Sequence, residues 1–517
     1  MNETTILWAD DEIDLLKPHI LFLREKGYLV KTCTNGNDAL ESVRSEHFDL
    51  VFLDENMPGL SGLETLTEIK NFNSELPIVL ITKSEEENLM EEAIGSKIDD
   101  YLIKPVRPNQ LLLTIKKILD NKRLVSEKTT SVYRMEFGNM SLTINDNLNF
   151  SEWAEIYKKL IFWELELEQL EDEGMLEILT HQKSEANLQF SKFVEKNYLG
   201  WMKNPDSAPI LSHNMFRKKI LPEVKETMPT FFLLIDNLRY DQWKVIHPII
   251  NEYFRLEKED WYYSILPTAT QYARNAIFSG LSPLEMEKRY PGKWQNDEDE
   301  GGKNLHEDFF LGDQLQRLRK PFKYSYTKIL TNDAGKLLVD GVSNLMQNPL
   351  NVIVYNFVDM LSHSRTEMEM IKELAGDEAA YRSLTLSWFE HSPLLDFIKK
   401  LSQKKINLII STDHGTIKVK TPSKVIGDRN TNTNLRYKQG KNLNFDPRQV
   451  FQIRNPLEAN LPKLHVSSSY IFAREDEYFI YPNNYNHFVH YFENTFQHGG
   501  ISLEEMIIPF AQYSSKA

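Results

Sequence analysis

The first 122 residues alternate between short apolar runs and stretches of helical spacing. The runs are "TTILWADDE", "YLVKTCT", "FDLVFLDENMPG", "LPIVLITKS" and "DDYLIKPV". Between and after them come "IDLLKPHILFLREKG", "NDALESVRSEH", "LSGLETLTEIKNF", "EEENLMEEAIGS" and "PNQLLLTIKKILDNKRLVSE". Five continuous apolar strands alternating with helices predict a doubly wound parallel five-stranded sheet. From 123 to 205 the strand signal disappears. "SEWAEIYKKLIFWELELEQLED" and "LTHQKSEANLQFSKFVEKNYLGWM" keep wide apolar helical faces, which predicts a helical bundle linker with its Trp and Phe as packing residues. A Pro-containing connector, "KNPDSAPILSHNMF", follows at 203–216. Beyond it "TFFLLIDNL", "NVIVYNFVDM" and "INLIISTDHG" each run from a β-rich segment into an acid, which predicts a larger α/β domain. The polar stretch 418–470 reads as an irregular insertion loop. The pattern therefore divides the chain into 1–122, 123–205 and 206–517.

Composition narrows the function classes. The 517 residues exceed one hydrophobic core, in keeping with three parts. A net charge of −15 argues against a broad basic surface and direct duplex DNA binding, but leaves room for a small pocket for a phosphate ester. The one cysteine, Cys33, rules out an internal disulfide and a multi-cysteine metal site, which fits a reducing cytoplasm. The acidic start "MNETTILWADDE" does not read as a signal peptide, and no apolar run is long enough for a membrane span.

Chemistry gathers first at the predicted sheet rim of the opening segment. Asp10 and Asp11 follow the first strand, Asp54 ends the third, and Lys104 ends the fifth, before Pro105. Three carboxylates at one rim repel unless a hard cation joins them, and Mg²⁺ suits oxygen ligands. A carboxylate beside Mg²⁺ and a lysine can attack a phosphoryl group. The acidic pair, the Asp before "ENMPG", the Thr ending strand four and Lys-Pro after strand five resemble receiver domains of two-component response regulators. The resemblance implies Asp54 as phospho-acceptor, with Mg²⁺ held by Asp10, Asp11, Asp54 and the Asn56 carbonyl. It also implies Thr82 and Tyr101 as a switch pair and Lys104 as phosphate partner. Lys83 stands where the family usually has a small residue, and its long side chain could shield the phosphoryl group.

The last segment scatters its ligands. Asp236 ends "FFLLID", Asp359 and His363 lie four apart in "NFVDMLSHS", Asp413 and His414 end "LIISTDHG", and His498 lies in "FQHGG". Three Asp and three His without thiolate suit catalytic Zn²⁺, and six ligands suit two ions with three each. Two such ions clamp the entering and leaving oxygens of a phosphoryl displacement. The set lacks a hydroxyl at a helix N-terminus, and "TATQYARNAIFSG" supplies one after Pro267, at Thr268 or Thr270. These fragments, in this order, resemble the alkaline phosphatase superfamily, and "PTATQYARNAIFSGLSP" is most similar to its PglZ branch. The resemblance implies one Zn²⁺ on Asp359, His363 and His498. It implies a second on Asp236, Asp413, His414 and a nucleophilic Thr270, with Thr268 structural. Related nucleotide diesterases carry Asn three residues after the nucleophile. Here that place is Ala273, followed by Arg274 and Asn275, and one of these two is expected to hold the phosphate's non-bridging oxygens. Arg429, Arg436, Lys438 and Lys441 in the polar loop either contact substrate or form a solvated surface.

The order of the three parts resembles response regulators of the PorX type, which are tied to type IX secretion and lack a DNA-binding output domain. The resemblance implies a partner histidine kinase, a homodimer formed on phosphorylation, and contacts with secretion components or a sigma factor. The expected function is a zinc-dependent phosphodiesterase gated by Asp54 phosphorylation, acting on nucleotide or oligonucleotide phosphoesters. The alternatives are a signalling adaptor with a structural metal site, and a phosphomonoesterase.

Overall fold

The computed structural model describes residues 4–73, 76–83, 98–170, 172–299, 301–360, 376–428 and 431–516. The chain forms two compact units, Met1–Met135 and Glu136–Ala517. In the first, strands β1 (Thr5–Ala9), β2 (Leu29–Cys33), β3 (Leu50–Asp54), β4 (Ile78–Thr82) and β5 (Asp100–Ile103) form a sheet in the order β2-β1-β3-β4-β5. All its pairings are parallel, as the apolar runs predict. Successive side chains enter opposite cores. Leu7, Val51, Leu53 and Leu80 lie on one side, and Ile6, Trp8, Phe52 and Ile81 on the other. The strand order reverses between β1 and β3, so the crevice for chemistry lies beyond their carboxyl ends. A capping box of Ser61 and Glu64 starts the helix Gly62–Phe72 immediately after the "DENMPG" turn. The helix expected over "EEENLMEEAIGS" falls outside the described residues.

In the second unit, β6 (Thr230–Ile235), β7 (Phe254–Tyr263), β8 (Tyr324–Ile329), β9 (Leu350–Tyr355), β10 (Asn407–Ser411) and β11 (Ile507–Ser515) form a mixed sheet. Its order is β7-β11-β10-β6-β9-β8. β8, β9, β6 and β10 are parallel, while β11 runs antiparallel to both β10 and β7. The carboxyl ends of β6, β7, β9 and β10 therefore share one rim with the amino end of β11. Every residue of β6, β9 and β10 is buried, the signature of a strand covered on both faces.

The helices Phe150–Gln169 and Glu173–Lys203 belong to this second unit. Asn149 and Glu152 form the capping box that starts the first of them. Their aromatic face packs on the end of β7: Phe190 and Trp201 lie 6.1 and 5.7 Å from Tyr263, and Trp153 lies 5.6 Å from Phe190. Each such ring contributes about 1.5–3 kcal/mol by burial. The packing role expected of Trp153 and Trp201 is the one they have. The stretch expected to be an irregular insertion loop is more ordered than its polarity suggested. Tyr437–Lys441, Ser468–Ala473 and Val450–Ile453 pair as a three-stranded sheet over a small core of Val425, Val450, Ile471, Ala473 and Phe479. Among the described residues no helix is long and apolar enough to cross a membrane.

Candidate functional site

The receiver-like rim brings its expected residues together. Asp10, Asp11 and Asp54 offer carboxylate oxygens that lie within 4.8 Å of one another. Asp10 and Asp54 are buried and Asp11 is exposed, so the cluster opens to solvent on one side. Lys104 Nζ lies 2.8 Å from Asp10 Oδ2 and 2.7 Å from Asp54 Oδ1. One lysine against three carboxylates leaves an excess of negative charge in an all-oxygen donor set, which suits a hard divalent cation. Burial pushes the Asp54 carboxyl above its usual range, more than the Lys104 hydrogen bond lowers it. Thr82, at the end of β4, is buried, Tyr101 on β5 is half-buried, and Asn56 is exposed in the turn after Asp54. Lys83 does not hang free over the acids. Its Nζ lies 3.0 Å from Glu12 Oε2, a bridge the sequence reading missed.

At the second rim, the strand ends deliver three ligand-type groups to one point. Asp236 follows β6, and Asp413 and His414 follow β10, all buried, with ligand atoms within 4.8 Å of one another. Asn237, at φ 63°, turns the chain immediately after Asp236. Its backbone N–H donates to Asp413 Oδ1 at 3.3 Å, and its side-chain amide donates to Asp359 Oδ1 at 3.3 Å. His498 Nε2 lies 3.9 Å from Asp359 Oδ1, and the His498 ring stacks on His414 with centroids 4.3 Å apart. Five of the six expected ligands thus surround one spot. His363 lies outside the described residues.

Backbone carbonyls set both imidazole tautomers. His414 Nδ1 faces the Gly415 carbonyl at 3.2 Å, and His498 Nδ1 faces the Thr268 carbonyl at 3.2 Å. A carbonyl only accepts, so each Nδ1 carries the proton and each Nε2 keeps its lone pair for the centre. Burial raises the Asp236 carboxyl to about 7, partly offset by Arg274, and lowers the His414 imidazole. Asp413 is also raised by burial, and its buried Oδ2 has no hydrogen-bond partner. Desolvated carboxylates and neutral imidazoles around an unsatisfied oxygen fit a divalent cation with nitrogen and oxygen ligands.

Thr270 and Thr268 separate here. Thr270 is the first residue of the helix Thr270–Ser279, with Oγ1 3.0 Å from His414 Nε2 and 3.5 Å from Asp236 Oδ1. Thr268 is buried, donates to the Gly500 carbonyl at 2.9 Å and accepts from the Gly499 N–H at 3.0 Å, tying down the loop that carries His498.

Arg274 and Asn275, expected to hold phosphate oxygens, are both engaged by groups of the protein itself. The buried Arg274 guanidinium bonds Asp236 and Glu307 and lies 3.4 Å from Asn356 Oδ1. Glu307 escaped the sequence reading because nothing in "NLHEDFF" marks it. It accepts from Tyr326 at 2.6 Å, and from Lys328 and Asn304, both at 3.1 Å. Burial raises its carboxyl, but the Arg274 and Lys328 charges outweigh that and hold it below the usual range. Asn275 donates to the carbonyls of Gln271, at 2.8 Å, and Lys303, at 3.1 Å. The polar-loop cations are also committed. Arg436 is fully buried on Glu505, 2.6 Å away. Lys438 is buried, donates to the Asn432 carbonyl at 2.9 Å and lies over the Tyr481 ring. Lys441 is half-buried, and Arg429 lies outside the described residues. For Arg436 and Lys438, burial replaces both roles expected of them, substrate contact and solvated surface.

A parallel sheet with an acidic crevice and a lysine, joined to a mixed α/β unit with clustered Asp, His and Thr, defines a response regulator with an alkaline phosphatase-like output domain. Residues 6–116 match the response regulator receiver domain, and 123–202 match the PorX response regulator linker domain. Residues 215–513 match the BREX system PglZ alkaline phosphatase-like domain; the chain belongs to this PglZ family, in the arrangement of a PorX-like response regulator. The similarity to individual curated proteins lies in about a quarter of the chain. The transcriptional regulatory protein ZraR of Klebsiella oxytoca is 38% identical over 137 residues, 26% of this chain and 31% of ZraR. ResD of Bacillus subtilis is 31% identical over 118 residues, 23% of this chain and 49% of ResD. The chain thus spans less than half the length of these relatives. Among solved structures, the response regulator TrrA of Thermotoga maritima, in complex with Mg²⁺ and BeF, is 33% identical. The match covers 22% of this chain and 98% of TrrA, with a TM-score of 0.21.

Proposed function

We propose that the protein is a phosphodiesterase with a two-zinc centre whose output is gated by phosphorylation of Asp54. The observation that carries the reading is Thr270 Oγ1, 3.0 Å from His414 Nε2 at the edge of the Asp236, Asp413 and His414 cluster. Asp236, Asp413 and His414 would hold one Zn²⁺ beside Thr270, and Asp359, His498 and His363 the other. When bound, the pair supplies Lewis acidity to the attacking and departing oxygens. Thr270 stands at the amino end of its helix, where unpaired N–H groups and the dipole favour an approaching phosphoester anion. Attack of Thr270 Oγ1 on phosphorus, in line with the departing group, would displace one alcohol, which leaves with a proton, and would leave the remaining ester group on phosphorus as a threonyl phosphodiester; water would then release the phosphomonoester and restore the Thr270 hydroxyl. Arg274 holds Asp236 from behind, so it fixes a ligand rather than the substrate. The substrate class is a nucleotide or oligonucleotide diester.

In the receiver domain, Asp10, Asp11, Asp54 and the Asn56 carbonyl would hold Mg²⁺, and Asp54 would take its phosphoryl group from a cognate histidine kinase. Thr82, Tyr101 and Lys104 would read the phosphorylated state and promote a homodimer. Output would then reach type IX secretion components or a sigma factor. Thr270→Ala is expected to keep its bound zinc and lose at least ~1,000-fold in turnover of a chromogenic phosphodiester. Turnover retained in that variant would remove Thr270 as nucleophile. A wild-type protein that carries zinc but is inert on diesters and monoesters alike would favour the adaptor reading.

A further inference from the structure

Among the described residues, both histidines of the candidate centre, His414 and His498, are seated by one short segment, Gly500–Met506, and that segment is gripped from its far side by a helix of the linker. Asn187 lies midway along the helix Glu173–Lys203 and is buried. Its Oδ1 accepts the Leu503 N–H at 2.8 Å, and its Nδ2 donates to Glu504 Oε2 at 3.0 Å. An N–H can only donate and a carboxylate can only accept, so these partners fix the amide's orientation. One turn earlier on the same helix, Lys183 lies 3.9 Å from Glu504 Oε1, and 2.7 and 3.0 Å from Glu164 and Glu378.

From Glu504 the connection to the centre runs through backbone. A Cβ placed on Gly415 would stand 2.2 Å from the Glu504 carbonyl oxygen, so His414's neighbour rests directly on this segment. The Gly415 N–H also points to the Glu505 carbonyl at 3.4 Å, and the Gly415 carbonyl orients His414 Nδ1. The Glu505 carboxylate accepts from the Gly500 N–H at 2.9 Å and from Ser502 at 2.7 Å, fixing the loop that carries His498. One turn beyond Asn187 the helix packs through Phe190 on Tyr263, whereas towards Lys183 the joint is polar. The joint borders a cavity of about 330 Å³ lined by Lys183, Asn187, Glu378, Lys418 and Glu504, among others. Beside that cavity, Asn187 and Lys183 tie the helix to Leu503 and Glu504.

We propose that Asn187 is a positioning residue: through Leu503 and Glu504, the linker helix sets the seating of His414 and His498, and hence the centre's hold on its cations. This rests on the two-zinc reading of the site. Any shift of this helix would then be felt at both imidazoles at once, which gives a linker without catalytic groups a direct grip on the chemistry.

The test is zinc affinity of the full chain, measured by competition with a chromogenic chelator, with far-ultraviolet circular dichroism as the check on folding. Asn187→Asp places a second carboxylate against Glu504 and removes the donor. It is expected to keep its helix content and to lose ~10-fold or more in affinity for the weaker zinc, the scale of a lost outer partner of metal ligands. Adding Glu504→Gln reverses the roles, because the new amide donates to the new carboxylate, and is expected to bring affinity back to within about 3-fold of wild type. A merely structural contact would alter thermal stability without this loss and reversal in metal binding. A folded Asn187→Asp chain with wild-type affinity overturns the proposal, as does a double variant that recovers stability but not affinity. If Asn187→Asp does not fold, Asn187→Ala carries the same expectation, and failure of both to fold assigns the residue a structural role and overturns the inference. A wild-type chain that takes up no zinc is a separate outcome: it removes the two-zinc reading itself, and the proposal with it.

Discussion

Arg274 shows how burial decides what a charged side chain does. A guanidinium next to a nucleophile reads in sequence as a phosphate clamp. In the fold it is buried, with Asp236 paired to its Nη1 and Glu307 to its Nε. Removing one member of such a group leaves a buried charge without a partner, which costs about 3–5 kcal/mol. Arg274→Met is therefore expected to lower stability by about 3 kcal/mol near neutral pH, measured by urea unfolding. The pH dependence follows from Glu307. Its folded carboxyl is held below the usual range, so it contributes stability that is present above the unfolded value and lost as pH falls through the folded one. The variant's deficit should shrink as the pH is lowered into the carboxylate range. A deficit that is constant with pH would detach Glu307 from Arg274.

At the scale of elements, the candidate centre depends on how tightly backbones meet behind the ligands. Gly415 is needed because the Glu504 carbonyl occupies the space where a side chain would begin. Gly415→Ala is expected to force the strand-end turn away from the segment before β11, at a cost of about 1–3 kcal/mol. Because His414 is its neighbour, the same change should lower zinc content and diester turnover together, measured by metal analysis and initial rates. An active, zinc-replete Gly415→Ala chain would show that this turn has slack. The small sheet at 437–473 makes a related point. Its polar residues predicted a loop, but Arg436 is buried against the Glu505 carboxylate, and Lys438 is buried on the Asn432 carbonyl, where desolvation pushes its ammonium down to about 7.

For the whole molecule, the two compact units set the regulatory question. A receiver crevice with one lysine and three carboxylates is equipped to accept a phosphoryl group, and the proposed output site lies in the other unit. Incubation with a small-molecule phosphoryl donor and Mg²⁺ is expected to label the chain once, to raise the dimer fraction in size-exclusion chromatography and to raise diester turnover. Asp54→Ala should abolish all three responses while leaving basal turnover and zinc content unchanged. Turnover that ignores the donor, in a chain that is labelled, would uncouple the receiver from the output domain.

The doubly wound sheet, and the acids that end its strands and those of the larger sheet, were legible in the linear pattern. Strand runs that end in acids are legible because two-sided burial demands continuous apolar strands, and because the carboxyl ends of parallel strands share a rim. That logic placed Asp54, Lys104, Asp236 and Asp413 before any contact was known. The family resemblance already favours Thr270 over Thr268, and the fold supplies the contacts: Thr270 lies 3.0 Å from His414, while Thr268 ties a loop. Only the tertiary structure turned Arg274 from the substrate to Asp236, found Glu307, and seated both histidines on a segment held by Asn187. The physical reason is range. Periodicity and strand-end position are local properties of the chain, whereas the partner of a buried charge or hydroxyl is chosen by groups tens to hundreds of residues away, and the energy of pairing them exists only once the chain has folded.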